Sequence, residues 1–412
     1  MRPALKIWAA VLSVALMAGL PGSVHAQAGG DPTPAEKAGD RAMTPQEQKE
    51  LDALFQQVLA NPANTEANLR YARAAERFGQ IRKAMSTYER VAINDPANVE
   101  AKVGFERLKM YLEPPATRYR LAIGMQFETN ASAVNSQISP VLQGFQKLNG
   151  SPDGAAVASL RIDDDRQFGD VRWFTRAILY GEKHIVHSKF DYDFGSINSG
   201  PAFVLDNGWI IRGGPAAEVG FQGYNYLYWS AGAAGELLIP QPSAFRSVRF
   251  GVLKADFTQA SDSKDGVVFY AQPEFGWDHV LTHGDTFLIE PYTSYYMAFG
   301  HNHQDRYYLL GMTVTHALPI ADQFWGFKHV FFVTMLNAEW RPYAGHEPLP
   351  PNLNKGNRMD WRLQPGVRIV GTNLLDREIT AVLSYDFDRA RSNYDSYAYN
   401  NHKFALNFIF GF

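Results

Sequence analysis

Two imidazoles and a carboxylate stand close together at His301, His303 and Asp305. That donor set suits a transition metal. The stretch is also rich in Asn and His and lies between two apolar runs, which marks a solvated connection. We therefore expect no bound metal there. His187 and Ser188 have the residue types of a hydrolytic relay. Neighbours in a strand point to opposite faces, so the two would not meet. Asp278-His279 and His303 with Asp305 repeat an acid–imidazole pairing without a context that positions a nucleophile. No Gly-rich phosphate loop, dinucleotide fingerprint or zinc signature occurs, and there is no Cys. The expectation is a chain with no catalytic residue and no cofactor.

A second set of charged residues has a different logic. Arg118, Arg120, Arg161, Arg172, Arg176, Arg212, Arg249, Arg362 and Arg368 sit in or beside runs in which large apolar residues fall at every second position. In Tyr119, Leu121, Ile123, Met125 and Phe127 the apolar series alternates with Arg118, Arg120, Ala122, Gly124 and Gln126. A strand carrying that pattern has one greasy face and one polar face. Charge on a lipid-facing side is costly, so these arginines are expected to point into an interior. Candidate partners are Asp191, Asp193, Glu218, Glu236, Glu274 and Glu290. They would either line a passage or hold the wall together through ion pairs.

The same pattern ends the chain. Phe404, Leu406, Phe408, Phe410 and Phe412 alternate with Lys403, Ala405, Asn407 and Gly411. A soluble protein avoids so apolar an exposed strand, whereas a lipid-embedded barrel requires it. Phe408, Phe410 and the terminal Phe412 also fit the signal by which outer-membrane proteins are recognised for assembly. Further alternating runs include Val171 to Leu179, Val248 to Val252, Tyr307 to Gly311 and Ile379 to Phe387. Clusters such as Asp163-Asp164-Asp165, Asp206-Asn207-Gly208 and His301-Asn302-His303 separate them and read as turns. Roughly 300 residues at roughly 20 per strand with its turn give about 14 strands, with 12 or 16 also compatible. Tyr292, Tyr295, Tyr296, Tyr307, Tyr308, Trp325, Trp340 and Tyr343 suit aromatic girdles at two interfaces. Two long connections, Glu128 to Asp153 and Pro342 to Asp360, would carry recognition or fold inward as a plug.

Composition agrees. Hydrophobic residues make up 46% and aromatics 13%, yet mean hydropathy is only −0.26. A barrel gives this combination, because polar interior residues dilute the lipid-facing ones. After the first segment no apolar run is long enough for a membrane helix. Arg2 and Lys6 precede the apolar run Ile7–Leu20 and then Val24-His25-Ala26, the layout of a signal peptide cleaved after Ala26. Its loss takes the formal net charge from −3 to −5, which excludes a nucleic-acid binder's balance.

Residues 27–44 read as a flexible leader and 45–115 as a helical domain. Asn61-Pro62-Ala63-Asn64 returns as Asp95-Pro96-Ala97-Asn98, with 34 residues from one proline to the next. That is the tetratricopeptide period. Ala72 and Ala84 fill the small positions, Gly79 the turn, Tyr88 the large aromatic position and Pro96 the helix stop. Asn68 and Ala75 stand where Trp and a second large residue are expected. Glu113-Pro114-Pro115 closes the unit, and residues 116–412 form the barrel. One full repeat is too small to stand alone, so the unit should lean on the barrel, a partner or a second copy.

This order, and the run Leu121-Ala122-Ile123-Gly124-Met125-Gln126-Phe127-Glu128-Thr129-Asn130-Ala131, resemble the surface lipoprotein assembly modifier family. In that family a periplasmic tetratricopeptide domain precedes a barrel of about 14 strands. The barrel opens with a strand followed by a turn of an acidic residue, a small residue and Asn. The resemblance implies an outer-membrane barrel passing a client protein to the cell surface. It implies contact with outer-membrane lipid, the barrel assembly machinery and a client at the helical unit. The helical part here is shorter than the family's. Exporters of cellulose and poly-N-acetylglucosamine share the two-part plan, and a small-solute porin with a periplasmic anchor would too.

Overall fold

The computed structural model describes residues 43–95, 98–112, 115–131, 151–168, 171–205, 209–239, 244–257, 265–282, 284–299, 306–345, 356–394 and 397–412. The expected signal peptide, nearly all of the leader, Pro96, His301, His303 and Asp305 lie outside them.

Four helices come first: α1 (Pro45–Ala60), α2 (Thr65–Arg77), α3 (Ile81–Asn94) and α4 (Val99–Leu112). Thr44 caps α1 in a capping box. Its backbone N–H donates to Glu47 at 2.7 Å, and Glu47 N–H donates back to the Thr44 hydroxyl. The sequence echo 34 residues apart becomes the same cap twice. Asn64 accepts from Ala67 N–H and Asn98 from Ala101 N–H, each at 3.0 Å. Ala72 and Ala84 are fully buried, where only a methyl group lets the helices approach. Gly79 takes a φ of 70° in the α2–α3 turn, a conformation glycine adopts without penalty. Tyr88 is buried against Gly104 of α4, and a side chain at Gly104 would come within 2.7 Å of its ring.

Asn68 stands where the tetratricopeptide pattern expects Trp. It is buried, its amide donates to the Pro62 and Asn64 carbonyls at 2.9 and 2.8 Å, and its oxygen accepts from Arg90. Ion pairs Arg73–Glu100 and Arg107–Glu76 tie α2 to α4, and Arg77–Glu50 ties α2 to α1.

Fourteen strands follow: β1 (Ala116–Ala131), β2 (Ser151–Phe168), β3 (Val171–His184), β4 (Tyr192–Val204), β5 (Ile210–Gln222), β6 (Asn225–Leu238), β7 (Phe245–Phe257), β8 (Gly266–Asp278), β9 (Thr286–Ala298), β10 (Tyr307–Ala321), β11 (His329–Pro342), β12 (Met359–Thr372), β13 (Ile379–Ser392) and β14 (Tyr399–Gly411). Each pairs antiparallel with its sequence neighbour, and β1 pairs with β14, so the sheet is a closed barrel. The fold class read from the sequence is thus the observed one. Closure leaves no free edge. At the end opposite the helices β1 finishes and β2 starts, and β11 finishes and β12 starts. The β5–β6 turn at that end needs only Gly223 and Tyr224, both at positive φ, which matches the twist of a tight hairpin. Among the described residues no helix is long and apolar enough to cross a membrane.

The structure corrects two sequence readings here. Asp163-Asp164-Asp165 is not a turn but part of β2. Its carboxylates are held by Arg161, Arg172, Arg176 and Arg166, so the acidic run is paired inside a strand. Glu128-Thr129-Asn130 is not a turn either. It still belongs to β1, where the Thr129 hydroxyl accepts from His402 N–H at 2.9 Å and Asn130 N–H donates to Asn401 at 2.8 Å. These polar residues close the seam against β14.

Candidate functional site: the barrel lumen

The register fixes which side chains face inward. Gly124 lies opposite Asn407, Gln126 opposite Ala405 and Glu128 opposite Lys403. Paired residues share a face, so one parity can be followed through every strand. On the other parity lie Ile123, Met125, Phe127, Phe404, Leu406, Leu383, Ile369, Leu336, Leu310 and Phe269. Met125 is 65% exposed and Leu406 44%. The exposed face is apolar and the enclosed face carries the charge.

Arg118, Arg120, Arg172, Arg176, Arg212, Arg249, Arg362, Arg368, Glu218 and Glu236 all occupy the inward parity. They do not form one group. Near the helical end, Arg161 and Arg176 share Asp163, with their closest contacts at 2.6 and 2.8 Å. Arg176 also reaches Glu236 at 3.9 Å, and Glu236 pairs with Arg212. The network spans β2 to β6 and continues to Arg249, which lies opposite Glu236 and pairs with Glu290 at 3.3 Å. Arg172 is buried against Asp165. Arg118 and Arg120 face Asp163 and Arg161 in register but are exposed and make no ion pair among the described residues.

The far half is different. Glu339 accepts from the Tyr292 hydroxyl at 2.8 Å and meets Arg341 at 3.3 Å and Arg362 at 3.8 Å. Arg362 also holds Asp388 at 2.7 Å. Lys403 meets Glu128 at 3.2 Å, and Asn401 donates to the same carboxylate at 2.8 Å. Gln126 donates to Glu182, whose second oxygen accepts from Tyr180 at 2.7 Å. Arg368 lies between the two groups, 3.8 Å from Asp386. Glu218 sits 3.5 Å from the hydroxyls of Tyr228 and Ser230. Among described inward residues, arginines outnumber carboxylates near the helices, and carboxylates outnumber cations beyond. Between the groups β1 places Ala122 and Gly124, and β2 places Ser159 and Val157, all uncharged.

The candidate acids divide otherwise than expected. Glu236 and Glu290 bind arginines, but Asp193 faces outward and holds Lys183 at 2.7 Å. Asp191 lies in the β3–β4 turn and accepts from His184 N–H at 2.8 Å. The aromatic girdle also needs correction. Tyr292, Tyr296, Tyr307 and Tyr343 pack inside with Tyr192, Tyr228, Leu253, Val268 and Leu309. Their strand parity sends them inward, and burial of ring area holds them there. Tyr295 and Tyr308 stack on the outer face with ring centroids 4.5 Å apart, and Trp340 stacks on Trp361.

Of the residues weighed for hydrolysis, the described ones, His187 and Asp278-His279, serve turns. Asp153 accepts from the backbone N–H groups of Gly154, Val186 and His187 and lies 3.1 Å from the His187 ring. It pins the β3–β4 turn to β2. Asp278 pairs with Arg246 at 2.9 Å, and the His279 ring accepts from Gly284 N–H. His316 faces outward and binds the buried Asp285 at 2.9 Å. Among the described residues no group of three His, Cys, Asp or Glu could hold a metal. Phe408 and Phe410 face outward on β14, and Phe412 stacks on Tyr119 just past its end. Sequence reasoning missed Asp388, Glu339 and Asp163 as interior groups. For Glu339, between Ala338 and Trp340, alternation with apolar neighbours was the available signal.

No protein-family model matches the chain. No curated protein matches it. Solved structures similar to it include a "bacterial polysaccharide outer membrane secretin", 12% identical over 71% of this chain and 98% of that one, with a TM-score of 0.38. A loop-deletion mutant of OmpT, an outer membrane protein of Vibrio cholerae, is 6% identical over 73% and 100%, with a TM-score of 0.37. OpdK of Pseudomonas aeruginosa with vanillate is 9% identical over 72% and 99%, with a TM-score of 0.35.

Proposed function

We propose that this chain is an outer-membrane conduit that carries a client through its lumen, with the helical unit on the periplasmic side. The observation that carries the reading is the division of side chains on a closed wall: apolar outside, charged inside. Lipid is the solvent that matches the outer face. An even strand count puts both ends of the barrel on one side, and the helices precede β1 there. The closing strand β14, with Phe408 and Phe410 outward, is the segment we assign to recognition by the barrel assembly machinery.

The client enters beside the helices. Helix α4 runs into β1 and also comes against β4, so it lies next to the mouth. Its partners α2 and α3 form hairpins that resemble tetratricopeptide units, which hold peptide segments. Eight strands leave an interior filled by side chains, and 16–18 leave an open channel. Fourteen strands lie between, so the leading client is a protein segment in extended form.

Two measurements test this. The mature chain should sediment with the outer membrane and need detergent for extraction. Deleting residues 45–112 should leave the barrel inserted but abolish surface appearance of the client encoded beside it. A mature chain that stays folded and dissolved without detergent would remove the reading.

A further inference from the structure

We infer that the lumen is electrically bipolar along its axis and passes anions outward from the helical mouth more readily than inward. The inference rests on the conduit reading above and adds the sign of the charge it favours.

Two independent networks carry it. In the half nearest the helices, Arg118 and Arg120 are exposed without an ion pair among the described residues. Arg161 and Arg176 must share Asp163, and Arg176 and Arg212 must share Glu236. Positive charge is therefore in surplus there. In the far half Glu339 meets Arg341 and Arg362, but Arg362 must also serve Asp388 and Lys403 is held by Glu128, while among the described residues Glu182 meets Gln126, Tyr180 and His184 and makes no ion pair with Arg or Lys. Negative charge is in surplus there. On β1 and β2 the uncharged stretch at Ala122, Gly124, Val157 and Ser159 separates the two, and on β12 and β13 Arg368 lies between them, 3.8 Å from Asp386.

Low-dielectric walls focus such fields and concentrate counter-ions. Anions gather in the arginine half and cations in the acidic half. A positive potential on the far side drives both populations toward the junction, so both kinds of ion enter and the current is high. The opposite potential drains both and the current falls. The conducting polarity is the one that moves anions from the helical mouth to the far side. An anionic client arriving at the helices would meet the attracting end first.

The test is planar-bilayer recording on the full mature chain, with orientation set by protease access to the helical unit. Current at the polarity with the far side positive should exceed the reverse by at least roughly twofold at 0.1 M KCl. The ratio should fall toward one at 1 M, where the Debye length shrinks to about 3 Å. The double variant Arg118→Glu with Arg120→Glu changes two exposed side chains that make no ion pair among the described residues, and should bring the ratio down at low salt. Tripolyphosphate should block from the helical side and not from the far side. Equal currents at both polarities, or a ratio untouched by the double variant, would overturn the bipolar lumen alone. A barrel that inserts yet passes no ions would overturn the conduit together with it.

Discussion

Lys403 of the last strand and Glu128 of the first face each other across the closing seam, 3.2 Å apart. Glu128 is buried, and Gln126, Glu182 and Asn401 crowd the same spot. Lys403 is the cation that neutralises this side of the wall. Removing it leaves buried acids without a counter-charge, which costs about 3–5 kcal/mol. Lys403→Met should lower the urea midpoint of the detergent-solubilised barrel strongly. Adding Glu128→Gln should recover part of the loss. A single variant within 1 kcal/mol of wild type would show that the seam does not depend on the pair.

Met312 and Thr313 are neighbours on opposite faces of β10. Met312 is exposed on the outside, while Thr313 lies opposite Glu290 inside. An arginine on the lipid face near mid-membrane costs about 2–4 kcal/mol. Met312→Arg should therefore impair insertion and folding into bilayers far more than Thr313→Arg. Equal effects would mean that lipid does not bathe the outer parity.

Tyr88 and Gly104 test the helical unit. A methyl group at Gly104 would sit 2.7 Å from the Tyr88 ring. Ala normally favours a helix over Gly by about 1 kcal/mol, but here the clash should win and Gly104→Ala should destabilise by about 1–3 kcal/mol. Combining it with Tyr88→Leu should relieve the clash, as read by a double-mutant cycle on helix unfolding. Additive losses would contradict the packing.

The same tyrosine gives the unit an alkaline limit. Burial, reinforced by Glu76, pushes the Tyr88 phenol up to about 12. Its pKa in the unfolded chain is about 10, so folding favours the protonated form. That stability is fully present below pH 10 and is lost as pH rises through 12. Helical ellipticity should fall in that window together with phenolate absorbance, and Tyr88→Phe should remove the Tyr88 contribution.

At the other end of the scale, the Arg73 guanidinium holds the Glu100 carboxyl below its usual range. Depressed in the folded state, it contributes stability above its unfolded pKa, and this is lost as pH falls. Both side chains are nearly half exposed, so solvent screening limits Glu100→Gln to a cost of about 0.2–1 kcal/mol. A loss of several kcal/mol on urea unfolding would mean the pair is far less screened than its exposure implies.

Much of this was legible before any coordinates. Alternation in Phe404–Phe412 and Tyr119–Phe127 marked strands with one apolar face, and the 34-residue echo marked a repeated helical segment, whose two copies the structure gives the same cap. Both signals stand in the sequence itself: a strand repeats every two residues and the helical unit every 34. Tyr307 and Tyr308 show the limit. Their identity suits a girdle equally well, but parity sends one inside and one outside. Asp163 shows another limit, since an acidic run in isolation reads as a turn until its arginine partners are in place.

The sequence alone determined that this chain alternates, that its arginines share the parity opposite the large apolar residues, and that helices precede strands. Only the tertiary structure decided that Arg161, Arg176 and Arg212, from three different strands, converge on Asp163 and Glu236, while Lys403 closes on Glu128. The reason is that strand parity is a property of each segment. Tilt and stagger, by contrast, belong to the closed barrel as a whole and set which charges share a level.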